Sequence, residues 1–146
     1  AQSIESKMRP QTSIDAKDSI HFTLGIAATR RKILIKDFTP HGLKNPTVLK
    51  MAQKVKVKVN NRLKKTPYSA IVEIKVRDGK QHSKRVDVPY GRYANPIGKL
   101  DLVEKFRDCV SYSVKPFPRD TVDQVIDMIS RLEDIKDVSK VIRLMG

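Results

Sequence analysis

Apolar positions in the first third of the chain recur at helical spacing. Ala16, Ile20, Leu24 and Ala27 fall on one face, and Ser19, Phe22 and Ile26 on an adjacent one. Two such faces predict a helix reaching about Thr29 and buried between layers. Thr12-Ser13-Ile14-Asp15 reads as a capping box at its start, with the Thr12 hydroxyl meeting an orphan N–H and Asp15 bonding back. The residues before it, 1 to 11, are polar and read as loosely ordered. Lys32 to Lys36 is an apolar run too short to classify. Asn45-Pro46 marks a second helix, running to about Gln53, because Asn caps well and Pro suits a first turn.

The period then changes to two. Lys54 to Val59 alternates lysine and valine, the pattern of a half-buried strand. A polar loop from Asn60 to Pro67 follows. Tyr68 to Arg77 and Gln81 to Val88 read as two more strands, joined at Arg77-Asp78-Gly79. Parity selects the turn. A three-residue loop with Gly79 left-handed puts Val72 and Ile74 on the same face as Val86 and Val88, whereas a two-residue loop would oppose them. The result is an antiparallel hairpin with the Lys/Val strand alongside.

Tyr90 to Pro96 is a loop by its Gly and Pro content. A helix from about Leu100 to Val110 carries the stripe Leu102, Val103, Phe106, Cys109 and Val110. Pro116 and Pro118 break the chain. Asp120 is placed to cap the next helix, with the stripe Val122, Val125, Ile126, Ile129 and Leu132. Val138, Val141, Ile142 and Met145 form a last short helix. The expected architecture is α+β: a two-layer sandwich of a small, mainly antiparallel sheet and helices, plus C-terminal helices. Residues 1–146 read as one domain, with the sheet-containing core at about 12–98 and the helical segment at about 99–146.

Composition narrows the function classes. The chain has no Trp and few aromatics, so its interior is aliphatic. One cysteine, Cys109, allows no internal disulfide and no metal-ligand spacing; it falls on an apolar stripe, so it reads as a core residue rather than a nucleophile. No segment is long and apolar enough to cross a membrane, and the N-terminus lacks a signal pattern, so the expectation is a cytoplasmic protein. The net charge is +14, and from Arg30 to Lys65 the sole acid is Asp37. A one-sided basic surface attracts anions: nucleic acid, acidic partners or polycarboxylates. That basic run lacks interleaved surface aromatics, so nucleic acid is the less favoured partner.

No phosphate-binding glycine loop, histidine pair, cysteine pair or nucleophile elbow occurs. His21, His41 and His82 lie far apart and read as surface or packing residues. Asp15, Asp18, Asp120 and Asp123 open helices, where acids suit the dipole. No catalytic residue, metal ligand or cofactor site stands out.

The order of segments nevertheless resembles a known family. Arg9-Pro10-Gln11-Thr12 followed by Ala16 and Ser19 is similar to the opening of the C-terminal domain of MmgE/PrpD (2-methylcitrate dehydratase-like) proteins. Gly42 to Val48, the Val76 to Lys80 turn, the Gly91-Arg92-Tyr93-Ala94-Asn95-Pro96 loop, Lys105-Phe106 and Leu132 to Ile135 match later elements in order. The resemblance implies a lid-like domain over the cleft of a polycarboxylate lyase or isomerase that dehydrates, decarboxylates or epimerises without a redox cofactor. It implies a missing N-terminal helical domain or subunit, which holds the main acid–base residues, so this chain alone is not expected to be catalytically competent. It implies a small polycarboxylate substrate and a homo-oligomer, and it places Ser19, Phe22 and Arg9 nearest the substrate. Many members carry Tyr in a Ser-x-x-Tyr pattern where this chain has Phe22, which cannot donate a proton. The alternatives are a non-catalytic partner subunit and a basic nucleic-acid-binding domain.

Overall fold

In the computed structural model, which describes residues 3–63 and 68–146, Ile4–Met8 is helical rather than loosely ordered, and residues 1–2 of the segment expected to be loose lie outside the described residues. Ser3 caps α1 (Ile4–Met8) by accepting from the Ser6 N–H at 3.1 Å. The polar sequence hides this turn because its order comes from capping and from a distant bond: the Ser19 hydroxyl donates to the Lys7 carbonyl. Thr12 caps α2 (Ser13–Lys17), accepting from the Asp15 N–H at 3.1 Å while its hydroxyl donates to the Asp15 carboxylate at 2.6 Å.

The single helix expected to Thr29 is two helices. α2 stops at Asp18, and Ser19 caps a new start, α3 (Ile20–Arg30), accepting from the Phe22 N–H at 3.0 Å. Restarting the helix resets its phase. The stripe with Ser19, Phe22 and Ile26 goes inside, while Ile20 on the other stripe lies outside. α3 ends at Arg31 in the left-handed region, at φ 60°. The unclassified run resolves into a 3-10 turn, Ile35–Phe38, followed by α4 (Pro40–Leu43) and α5 (Pro46–Ala52). Asn45 caps α5 as its sequence predicts, accepting from Val48 at 3.1 Å.

α3 packs on α5 so closely that a Cβ at Gly25 would stand 3.0 Å from the Val48 carbonyl oxygen. Ala16, Phe22, Ile26, Leu43 and Val48 form the apolar cluster, with Phe38 and Leu49 against it. Asp37 is buried beside it, accepting from Arg30 at 2.5 Å and from the Leu34 N–H at 2.9 Å. A buried carboxylate needs both a countercharge and hydrogen bonds, and here it receives each.

The described chain divides into two compact units. One joins the stretch up to Val57 with that from Val103 onward; the other is Lys58–Leu102. In the second, β1 (Ala70–Lys75) pairs antiparallel with β2 (Gln81–Val86), with Ile74 opposite His82 and Val72 opposite Lys84. The Val76 N–H donates to the Lys80 carbonyl at 2.9 Å and Gly79 lies at φ 86°, so the three-residue loop and its parity are as expected. Val72, Ile74, Val76, Val86 and Val88 share one face, which stays 36–49% exposed.

The Lys/Val strand is absent. Residues 55–60 pair with nothing in the sheet, which has two strands, and Val59 is exposed. Alternation supplies a propensity, but a strand exists only where a neighbour completes its ladder. Of the polar loop expected at 60–67, Asn61–Leu63 is a 3-10 turn, and residues 64–67 lie outside the described residues.

The loop after β2 is tightly bonded. Gly91, at φ 96°, donates to the Asn95 carbonyl at 2.8 Å, and the Asn95 amide donates to the Val88 carbonyl at 3.0 Å. The Tyr90 hydroxyl donates to Asp101 and accepts from the Gly98 N–H at 3.0 Å.

α6 (Lys99–Val110) buries no residue completely, and Cys109 is exposed rather than in a core. Its polar side does the tethering: Glu104 pairs with Lys32, and Asp108 accepts from the Ile35 N–H at 3.0 Å. α7 (Arg119–Ser130) starts after Pro118 with no side-chain cap; Asp120 sits in its first turn instead. Pro118 occupies the capping position itself, so Asp120 is two places too far inside. Val122 and Val125 are buried, as is Val141 of α8 (Ser139–Met145), whereas Ile129, Val138 and Ile142 remain exposed.

Candidate functional site

The turn between α1 and α2, the 3-10 turn and the start of α5 together border an open cleft of about 530 Å³. Its apolar wall is Phe38, Pro40, Leu43 and Leu49, and its polar rim is Arg9, Gln11, Thr12, Ser13 and Lys44. Each lining group is held by a local rule. Thr12 is fixed by its capping box. Leu43 and Lys44 follow Gly42, whose backbone crosses so near the 3-10 turn that a Cβ there would lie 2.2 Å from the Lys36 carbonyl oxygen. Only glycine lets the chain pass at that distance.

Arg9 is the cleft's best-oriented cation. With the Gln53 amide oxygen turned toward it, Arg9 donates through Nη2 at 2.8 Å and Nε at 3.0 Å. That aims the guanidinium and, among the described residues, leaves Nη1 uncommitted at the rim. Two cations and two hydroxyls over an apolar wall are the groups that complement an anion with a hydrocarbon part. Among the described residues no carboxylate or imidazole lines this cleft.

The other residues singled out by the sequence are placed differently. Ser19 is buried, with its hydroxyl engaged as cap to Phe22 and donor to Lys7. Phe22 is wholly enclosed in the apolar cluster. Arg9 alone of the three borders the cleft. Sequence reasoning did not anticipate Lys44, because it follows α4, a four-residue helix too short to leave a periodic signal. His21 is buried with Nδ1 unpartnered among the described residues, while His41 and His82 are exposed. Among the described residues no group of three His, Cys, Asp or Glu side chains is arranged to hold a metal ion, and no helix is long and apolar enough to cross a membrane.

Comparison with known proteins supplies the lineage. Mouse cis-aconitate decarboxylase is 28% identical over 138 residues, which is 93% of this chain and 28% of that protein. Human cis-aconitate decarboxylase is 34% identical over 74 residues, 51% of this chain and 15% of that protein. The chain therefore spans under a third of the length of these relatives. A family model described as the MmgE/PrpD C-terminal domain matches residues 1–134. Order of motifs, α+β fold and relatives agree, and the chain belongs to the MmgE/PrpD family, of which it carries the C-terminal domain.

Proposed function

We propose that this chain is the lid-like C-terminal part of a lyase or isomerase acting on a small polycarboxylate, and that turnover requires a preceding helical region. The carrying observation is the family match over residues 1–134, joined to a cleft that offers cations without a base. Proton removal next to a carboxylate needs both a positioned base and a charge-stabilising shell. Arg9 and Lys44 supply the second. By family analogy Ser19 and Phe22 lie near substrate; enclosed as they are, their part is to hold the start of α3, and the direct carboxylate contact falls to Arg9.

The test assays the chain alone, and then joined to a family helical region, with cis-aconitate and 2-methylcitrate. The expected result is no turnover alone and turnover when joined, with Arg9→Ala raising KM by roughly tenfold or more, as loss of a charged hydrogen bond does. Turnover by the isolated chain would overturn the division of labour. An inactive joined protein would indicate a non-catalytic partner subunit. The exposed Ile129, Val138 and Ile142 side chains support self-association, since exposed apolar patches pair. Sedimentation at tens of micromolar should show a dimer or larger species; a clean monomer would refute it.

A further inference from the structure

The unit spanning residues 58–102 presents a second set of chemistry that a polycarboxylate lid does not need. Eleven lysines and arginines stand there against four acids, a net +7 in a stretch of 45 residues. Three of the chain's four tyrosines, Tyr68, Tyr90 and Tyr93, belong to it too. Sequence order separates Tyr68 from Tyr93 by the whole hairpin, and folding brings them to one open depression of about 360 Å³, lined also by Arg92 and Val88.

The arrangement is built, not incidental. The Arg92 guanidinium stacks over the Tyr68 ring, 4.4 Å from its centroid. Tyr68 holds φ 74°, a left-handed conformation that is rare for an aromatic residue and disfavoured by sterics. The loop bonds through Gly91, Asn95 and Tyr90 fix the backbone on both sides of Arg92 and Tyr93. Tyr93, at the tip, is 103% exposed, so its ring is open to solvent among the described residues. Arg92 takes part in no ion pair among the described residues, while its neighbour Asp87 is already held by Arg85 at 2.8 Å.

We propose that this loop is a stacking site for single-stranded nucleic acid. Exposed rings on a hydrogen-bonded loop give every base a flat partner, and an arginine beside them meets the phosphate or extends the stack. The surrounding positive charge draws in the backbone. Long-range attraction alone would hold duplex and single strand alike; the rings favour unstacked bases. The ring platform missing from the basic run in the sequence is thus supplied from later in the chain.

The experiment is fluorescence anisotropy of the full chain with a labelled oligothymidylate of about 20 nucleotides, and with a duplex of equal length, across a salt series. The single strand should bind more tightly than the duplex. Tyr93→Ala should weaken the single-strand complex at least about fivefold, the lower range for one stacked base, while Tyr93→Phe keeps the affinity. Arg92→Ala should flatten the salt slope by about 0.7. Tyr93 is fully exposed, so neither change at that position threatens folding. Equal binding of duplex, or a Tyr93→Ala chain that binds as before, would reduce the attraction to net charge and overturn the site. Absence of oligonucleotide binding would overturn it as well, and would leave the loop as a surface for a protein.

Discussion

The pair α3 and α5 and the hairpin β1–β2 start from equally clear apolar patterns and end in opposite states. Phe22, Ile26 and Val48 are sealed, whereas the valines and isoleucines of the hairpin stay more than a third exposed. The difference is the partner. α3 meets α5 at glycine distance, and each covers the other. A two-stranded hairpin has a face but no second layer of its own, which is why isolated hairpins are only marginally stable in water. A hydrophobic pattern therefore states which face would be buried, and only a neighbouring element decides whether it is.

That contrast makes graded expectations. The largest effect should come from Phe22→Ala, a loss of about 3–5 kcal/mol by denaturant unfolding, since the ring leaves a cavity in a closed cluster. Ile74→Ala in the half-exposed hairpin should cost well under half of that. Similar losses at the two sites would erase the distinction. Next comes Gly42→Ala, about 1–3 kcal/mol, because the new Cβ meets backbone that cannot step aside. Gly79→Ala is its counterpart: no atom lies in the way, and only the φ of 86° opposes it, so about 1 kcal/mol is expected.

Asn45→Ala should follow at about 1 kcal/mol, the usual value of a helix cap, and it should raise amide exchange in α5 without touching the hairpin. The smallest effect concerns Asp137, whose carboxyl lies below its ordinary value of 3.8 chiefly through a hydrogen bond from the Ser139 hydroxyl. A lowered folded-state value means the contribution is present above the unfolded value and fades as pH falls through the folded one. The side chain is exposed to solvent, so an NMR titration of Asp137 in the native and Ser139→Ala chains is the suitable measurement, the native carboxyl titrating lower.

Legibility in the sequence followed the range of the interaction. Caps at Thr12 and Asn45 and the Gly79 turn were readable, because each is settled within four residues. The break at Ser19 was not, since the hydroxyl that restarts the helix is steadied by Lys7, a dozen positions away. Nor was the fate of Lys54 to Val59, whose alternation promised a ladder no other strand completes. Asp120 had the right chemistry two residues late. Of the candidate site, Arg9 could be named but its orientation by Gln53 could not, and Lys44 stood in the basic run and the Gly42 to Val48 element with nothing to mark it as a cleft residue.

The first unit is assembled from two stretches of chain, and the hairpin unit is the 45-residue excursion between them. Loop closure grows only logarithmically with length, about 0.6 kcal/mol for each doubling, so the helical unit is nearly indifferent to how long that excursion is. The Gly79 tip, with no atom near its missing side chain, is where extra sequence would meet least resistance. The hairpin can thus be lengthened, shortened or redecorated while α3 stays packed on α5.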